Sequence, residues 1–100
     1  MEETMIIFYR NATEQKQANE LADKYIPYPT CISTTSKERT LIDEKNLHII
    51  RVKEFKNESS ALGLRADFVF IPKDADLYTS CFNTLIGITR GNHGAIMFYS

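Results

Sequence analysis

The clearest structural signal in this chain is the segment Gly63-Leu64-Arg65-Ala66-Asp67-Phe68-Val69-Phe70-Ile71-Pro72-Lys73. Four consecutive apolar residues, 68–71, follow Asp67, and this pattern is typical of a strand that is buried on both faces. Pro72 and Lys73 come next, and neither side chain offers a carboxylate that could bind a metal ion. The segment therefore predicts a core strand over 67–71 that ends without acidic residues.

A second apolar run, Met5–Tyr9, predicts another buried strand, and a helix is expected directly after it. Asn11 can cap this helix, and Glu14, three residues later, completes a variant of the capping box. The helix should end before Pro27, because proline disfavours a helical conformation in the residue before it. Its apolar stripe contains Ala18, Leu21, Ala22 and Tyr25.

The rest of the chain predicts further strands and helices. Residues 30–34 form a short strand, and residues 35–46 form a hairpin, with a turn at 44–46, that leads into a strand over 47–53. A short helical turn is expected at 57–63 and a longer helix from Asp74 to about residue 90. Residues 95–100 predict a final strand.

Apolar strands that alternate with helices predict an α/β fold. We expect a single domain over residues 1–100, because a chain of this length can bury one modest core. The predicted architecture is a three-layer sandwich with a mostly parallel sheet of four to five strands.

The composition excludes some classes of function. The formal net charge is −1, which argues against a dedicated polyanion-binding protein. No apolar run approaches the ~18 residues that a membrane span requires, and the acidic N-terminus is unlike a signal peptide. Cys31 and Cys81 are expected to be buried thiols. A cytoplasmic protein without membrane contact is therefore expected.

Several segments, taken in order, resemble the core of P-loop ATPases, most closely the ATPase domain of phage terminase large subunits and related helicase-like motors. Met5–Tyr9 with the following Asn11–Gln15 resembles the second strand and helix of that family. The strand His48–Val52 and the lead-in Leu62–Asp67 resemble two later elements, and Ile96–Ser100 resembles the strand that couples hydrolysis to motion. The resemblance implies a phage or prophage origin and, if so, a location in the host cytoplasm.

The chain differs from this family at the residues that bind phosphate and metal ions. It contains no phosphate-binding loop of the form G-x-x-x-x-G-K-[ST], whose backbone amides and lysine hold the phosphates. An alternative register, with Tyr9–Lys16 in place of that loop, has no glycine and places Glu14 where it would repel a phosphate. Asp74 is better explained as a helix cap than as a displaced metal ligand. We therefore expect no catalytic residues, no metal site and no cofactor.

Two groups of residues are candidates for binding. The first would contact a nucleic acid or another anion: Arg51, Lys53, Lys56, Arg65 and, at a helix N-terminus, Asn11. These cations can equally be solvated charges that discourage strand edges from pairing. The second group would anchor a protein partner through amphipathic rings: Tyr25, Tyr28 and Tyr99.

The sequence therefore predicts a small non-catalytic protein of ATPase-core ancestry. It would bind another protein, such as a motor, a helicase or a host defence factor, or form a homo-oligomer through exposed strand edges. The alternative is a small DNA- or nucleotide-binding accessory protein that uses the basic residues or the helix N-terminus. An active enzyme is the third hypothesis, and no complete catalytic constellation supports it.

Overall fold

The computed structural model describes residues 3–56, 64–73, 87, 89 and 95–99. The strands and the helix defined in this part of the chain are β1 (Glu3–Tyr9), α1 (Ala12–Tyr25), β2 (Cys31–Thr34), β3 (Glu38–Asp43), β4 (His48–Glu54), β5 (Phe68–Pro72) and β6 (Ala95–Tyr99). The predicted helical turn at 57–63 lies outside the described residues. So does the predicted helix from Asp74, except for Gly87 and Thr89, which are helical.

The sheet corrects the predicted fold class. It has six strands in the order β2-β3-β4-β1-β5-β6, rather than four to five. β1 pairs in parallel with β4 and β5, and β5 pairs in parallel with β6, but β2, β3 and β4 form an antiparallel meander at one end. The described part of the chain is mostly strand with one helix. The predicted three-layer sandwich with a mostly parallel sheet was therefore wrong.

The antiparallel end follows from the short connections between its strands. Residues 35–37 connect β2 to β3, and residues 44–47 connect β3 to β4. Connections this short can join only antiparallel neighbours, because a parallel pair needs a crossover of a dozen or more residues. The prediction recognised the hairpin but counted no strand at Glu38–Asp43.

One face of the sheet packs against α1. Met5, Ile7 and Tyr9 of β1 point to this face, as expected for alternate residues of a strand. Ala18 and Ala22 of α1 are fully buried against them, so the small side chains let the helix approach the sheet closely. The cluster also contains Ile26, Leu41, Ile50, Val52, Phe70 and Tyr99.

The opposite face of β1 is buried as well. Ile6 and Phe8 pack with Phe55, and the rings of Phe8 and Phe55 meet edge to face with centroids 5.1 Å apart. Ala66, Val69 and Ile71 complete this second cluster. Burial of β1 on both faces confirms that it is a core strand, as its continuous apolar run predicted.

The start of α1 also confirms its prediction. Asn11 is the N-cap, and its side-chain oxygen accepts a hydrogen bond from the backbone N–H of Glu14 at 2.9 Å. The Glu14 carboxylate accepts a hydrogen bond from the backbone N–H of Arg10 at 2.8 Å. The first bond satisfies an N–H group that the helix cannot pair internally, and the second holds the residue before the cap against the first turn.

Candidate functional site

The edge strand β2 presents backbone hydrogen-bonding groups without a partner strand in the described part of the chain. β2 pairs with β3 on one side and lies at the end of the sheet. The N–H of Thr35 donates to the carbonyl of Glu38, which sets the hydrogen-bonded positions of the ladder. In an antiparallel ladder these positions alternate, so the backbone groups of Ile32 and Thr34 point away from β3.

This edge carries no charge that would keep another strand away. Residues 30–36 are Thr-Cys-Ile-Ser-Thr-Thr-Ser, without lysine, proline or an acidic residue. Natural edge strands are usually protected by charged side chains, proline or bulges. Ile32 is 53% exposed. The expectation that Cys31 is buried was wrong: its thiol is free and exposed because β2 is an edge strand and not a core strand. Cys81 lies outside the described residues.

Two of the three predicted partner-binding tyrosines line one cleft beside β2. Tyr25, the last residue of α1, is 50% exposed, and Tyr28, in the connection to β2, is 88% exposed. They share a cleft of about 360 Å³ with Pro27, Thr30, Asp43, Lys45, Asn46 and His48. Thr30 directly precedes β2, so the cleft lies at the N-terminal end of this open edge. We call Tyr25, Tyr28, Ile32 and Thr34 the edge surface.

The floor of the cleft is held in place by local bonds. The side-chain amide of Asn46 donates to the Asp43 carboxylate at 2.7 Å, and this bond is the main reason that the pKa of Asp43 is below its ordinary value. The hydroxyl of Thr30 donates to the carbonyl of Ile42 at 2.9 Å. The Tyr25 ring also packs on Phe70, with centroids 5.9 Å apart. One end of the edge surface is therefore anchored to the core.

Tyr99, the third predicted partner-binding residue, occupies a different environment. It is 8% exposed, and its hydroxyl donates a buried hydrogen bond to the carbonyl of Phe8. The structure therefore places this ring in the core beside β1 and separates it from the exposed pair Tyr25 and Tyr28.

The helix N-terminus at Asn11 is already provided with an anion. The Glu14 carboxylate accepts from the Arg10 guanidinium as well as from the Arg10 backbone. These bonds, led by the side-chain bond from Arg10, lower the pKa of Glu14 despite its partial burial. A second anion at this helix start would be repelled by the negative charge of the Glu14 carboxylate.

The predicted basic residues divide between separate places. Arg51 on β4 forms an ion pair with Glu38 on β3, with Nε 2.8 Å from Oε1. Lys53 and Lys56 line a cleft of about 300 Å³ at the end of the sheet where β1 and β4 finish. Arg65 is exposed and is not among the residues that line this cleft. The structure thus brings together Lys53 and Lys56 but not the whole predicted group.

The same cleft contains a lysine that the sequence did not single out. Lys37 lies in the β2–β3 turn and lines the cleft with Thr35, Glu38, Lys53, Glu54 and Lys56. The neighbouring amine of Lys56 is the largest cause of a lowered pKa at Lys37, and the same contact is the largest cause of a raised pKa at Lys56. The only sequence signal was a lysine in a polar turn, which is common in surface loops.

Asp67, in the segment 63–73, forms two hydrogen bonds with the backbone of Thr4. Its carboxylate accepts a hydrogen bond from the backbone N–H of Thr4 at 2.8 Å, and its own N–H donates to the carbonyl of Thr4 at 2.8 Å. After β5, the N–H of Lys73 donates to the carbonyl of Tyr99 at 2.7 Å. Both ends of β5 are therefore tied to neighbouring strands. Gly63 and Asp74 lie outside the described residues.

Among the described residues, no group of three or more His, Cys, Asp and Glu side chains could hold a metal ion. No helix in this same part of the chain is long and apolar enough to cross a membrane. No protein-family model, no curated protein and no solved structure matched the sequence or the fold.

Proposed function

We propose that this chain is a non-catalytic domain that binds an extended segment of another protein at the edge surface. The observation that carries the proposal is the uncharged open edge of β2, at whose N-terminal end Thr30 lines one cleft with Tyr25 and Tyr28, which are 50% and 88% exposed. The partner segment would add a strand to the sheet, and its side chains would pack on the two tyrosines.

Backbone and side chains would contribute differently to this binding. Ile32 and Thr34 each offer an N–H and a carbonyl to the added strand, and such bonds form with almost any sequence. The tyrosine rings provide selectivity, because they bury a large area at a small cost in conformational entropy. A partner segment with apolar or aromatic side chains at alternate positions fits this surface best.

A second copy of the chain could use the same edge. Ile32 and Thr34 flank Ser33, so a two-fold axis at Ser33 would pair Ile32 of one copy with Thr34 of the other. No charged residue between positions 30 and 36 would oppose this pairing. A homodimer therefore remains a prediction, and in the proposed function it competes with the partner for β2.

The non-catalytic part of the proposal is supported by two features near the ends of the central strands. At the start of α1, where a phosphate-binding domain needs uncompensated N–H groups, Asn11 accepts from the N–H of Glu14 and the Glu14 carboxylate adds a negative charge. Strand β5 ends in Pro72 and continues to Lys73, without a carboxylate in the described residues that directly follow it. Descent from a phage-type ATPase core that has lost its phosphate-binding and metal-binding residues would explain both features, and we include this ancestry in the proposal.

The alternative function, a DNA- or nucleotide-binding accessory protein, has less support, because the predicted basic residues do not form one continuous binding surface. Arg51 is committed to Glu38, and Arg65 is not part of the cleft that Lys53 and Lys56 line. Binding along a nucleic acid backbone needs a concentrated basic face, and the net charge of the chain is −1.

Selection from a library of short random peptides, followed by fluorescence anisotropy with the winning peptide, tests the proposal. Thr34→Pro removes an N–H that points away from β3 and so leaves the β2–β3 ladder in place. Thr34→Val is the matched control, because it keeps this N–H and a β-branched shape. Tyr28→Ala removes an anchor that makes few contacts in the unbound protein.

The expected result is an affinity about tenfold or more lower for Thr34→Pro and for Tyr28→Ala, since each removes a central contact. Thr34→Val should bind as the unmodified protein does. Equal binding by the Thr34→Pro and Thr34→Val variants would contradict strand addition. If no peptide is selected, but sedimentation shows a dimer that Thr34→Pro dissociates, the occupant of the edge is a second copy and not another protein.

A further inference from the structure

The cleft that contains Lys37 lies at the opposite end of the sheet from the tyrosine cleft. It is formed where β4 ends and β3 begins, by Thr35, Lys37, Glu38, Lys53, Glu54 and Lys56. Its volume of about 300 Å³ is at the small end of the range for ligand sites in proteins. The proposed protein binding does not use any of these side chains.

The fold holds Lys37 beside Lys56 by bonds to its backbone. The carbonyl of Lys37 accepts from the N–H of Glu54 at 3.2 Å and from the hydroxyl of Tyr9 at 2.6 Å. Tyr9 is a core residue, 3% exposed. The turn is thus attached to the core at the residue that carries the amine, and two like charges are kept close together.

The carboxylates of the cleft are largely compensated by partners of their own. Glu38 binds the guanidinium of Arg51, and Glu54 lies 3.6 Å from the ammonium of Lys56. Counted over the described residues and with Arg51 included, the cleft has four cationic side chains and two carboxylates. The formal charges of these described side chains sum to +2, whereas the formal net charge of the chain is −1.

From this geometry we propose that the cleft binds a compact multivalent oxyanion, such as a diphosphate or triphosphate group, between Lys37, Lys53 and Lys56. A doubly charged anion would relieve the repulsion between neighbouring ammonium groups and accept hydrogen bonds from each of them. None of the described residues that line the cleft is aromatic, so the phosphate group is recognised and a nucleobase is not.

A small anion fits these residues better than a nucleic acid does. Phosphates along a nucleic acid require a basic stripe, whereas this excess of charge is confined to one cleft. Pyrophosphate and ATP, both without magnesium, should therefore bind with similar affinity, because only their shared phosphates contact the protein.

The experiment is a calorimetric titration of the full chain with pyrophosphate, with ATP and with a short DNA duplex, at fixed ionic strength. Lys37→Ala and Lys56→Ala should each weaken pyrophosphate binding about tenfold, the loss expected for one charge-assisted contact. Lys45→Ala is the matched control, because Lys45 lies in the tyrosine cleft at the other end of the sheet. This control should bind pyrophosphate with unchanged affinity.

Tyr9→Phe tests the backbone attachment separately, because it alters no charge in the cleft. It should weaken pyrophosphate binding by about threefold, since the carbonyl of Lys37 loses one of the two hydrogen bonds that it accepts. Circular dichroism would confirm that this variant is folded.

Three results would overturn the proposal. One is the absence of pyrophosphate binding at millimolar concentration, and another is an equal loss of affinity in the Lys45→Ala and Lys37→Ala variants. The third is tight binding of the duplex without binding of pyrophosphate, which would assign the cleft to nucleic acid. None of these results depends on peptide binding at β2, so the two proposals can fail separately.

Discussion

Replacement of Asp67 by alanine should destabilise the fold, because Asp67 joins the start of β5 to β1. Its carboxylate accepts a hydrogen bond from the N–H of Thr4 at 2.8 Å. A hydrogen bond to a charged group contributes about 1.5–3 kcal/mol to the free energy of unfolding. Asp67 and Thr4 are only partly buried, so water can replace part of the lost bond, and the lower half of this range applies.

For a domain of this size, the expected loss corresponds to a fall in melting temperature of roughly 6–18 °C. Urea unfolding followed by circular dichroism measures the free energy directly. Asp67→Asn is the control, because its amide oxygen can still accept the bond without a charge, and it should cost about 1 kcal/mol or less. An unchanged stability in Asp67→Ala, or an equal loss in the Asn and Ala variants, would refute this role for the carboxylate.

Three further predictions concern other parts of the molecule. Glu14→Gln should lower the free energy of unfolding at pH 7 by about 1 kcal/mol. The pKa of Glu14 is lowered in the folded state from its ordinary value of 4.5, so its stabilising effect is present above that value and is lost as the pH falls through the folded pKa. The difference between Glu14→Gln and the unmodified protein should therefore shrink in acid urea titrations, and a difference that grows in acid would contradict the Arg10 contact. The exposed thiol of Cys31 should react with a thiol reagent in the folded protein at a rate close to that of a free thiol. Cys31→Ser should remove this fast reaction. If the fast reaction persists in the variant, Cys31 is not its source. Leu47 has a φ of 57°, which favours glycine, and its side chain is 46% exposed. Leu47→Gly should therefore leave the free energy of unfolding unchanged or raise it by up to about 1 kcal/mol. A clear loss of stability on urea unfolding would show that the Leu47 side chain contributes more than the relief of backbone strain.

The sequence predicted the local elements of this fold better than their arrangement. The strand 68–72 and the helix α1 with its Asn11 cap lie within two residues of their predicted positions. Both have strong local patterns, namely a continuous apolar run and a capping residue followed by an apolar stripe. These signals come from neighbouring residues, so they can be recognised without knowledge of the fold.

Strand β3 was missed because its stability comes from its neighbours. Glu38-Arg39-Thr40-Leu41-Ile42-Asp43 has two apolar residues and looks like a polar connection. In the structure it is paired on both sides, and Arg39 also forms an ion pair with Asp23 of α1 at 2.9 Å. Strand propensity depends on such cross-strand contacts more than on the residue itself. The missing strand accounts for most of the error in the predicted sheet.

The candidate sites show the same limit. Tyr25 and Tyr28 could be selected from the sequence because they flank Pro27, and a break after a helix tends to be exposed. Tyr99 could not be distinguished from them, since its burial depends on the carbonyl of Phe8, 91 residues away. Lys37 approaches Lys56 only because β3 pairs with β4. Contacts between distant residues of the chain were not visible in local patterns.

Residue-resolved amide hydrogen exchange by NMR, on the protein with and without its selected peptide, tests strand addition at β2 most directly. The amides of Ile32 and Thr34 point away from β3, so the bound peptide should slow their exchange by at least about tenfold. The amide of Ser33, which points toward β3, should change much less. Unchanged exchange at Ile32 and Thr34 in a peptide-saturated sample would contradict the account.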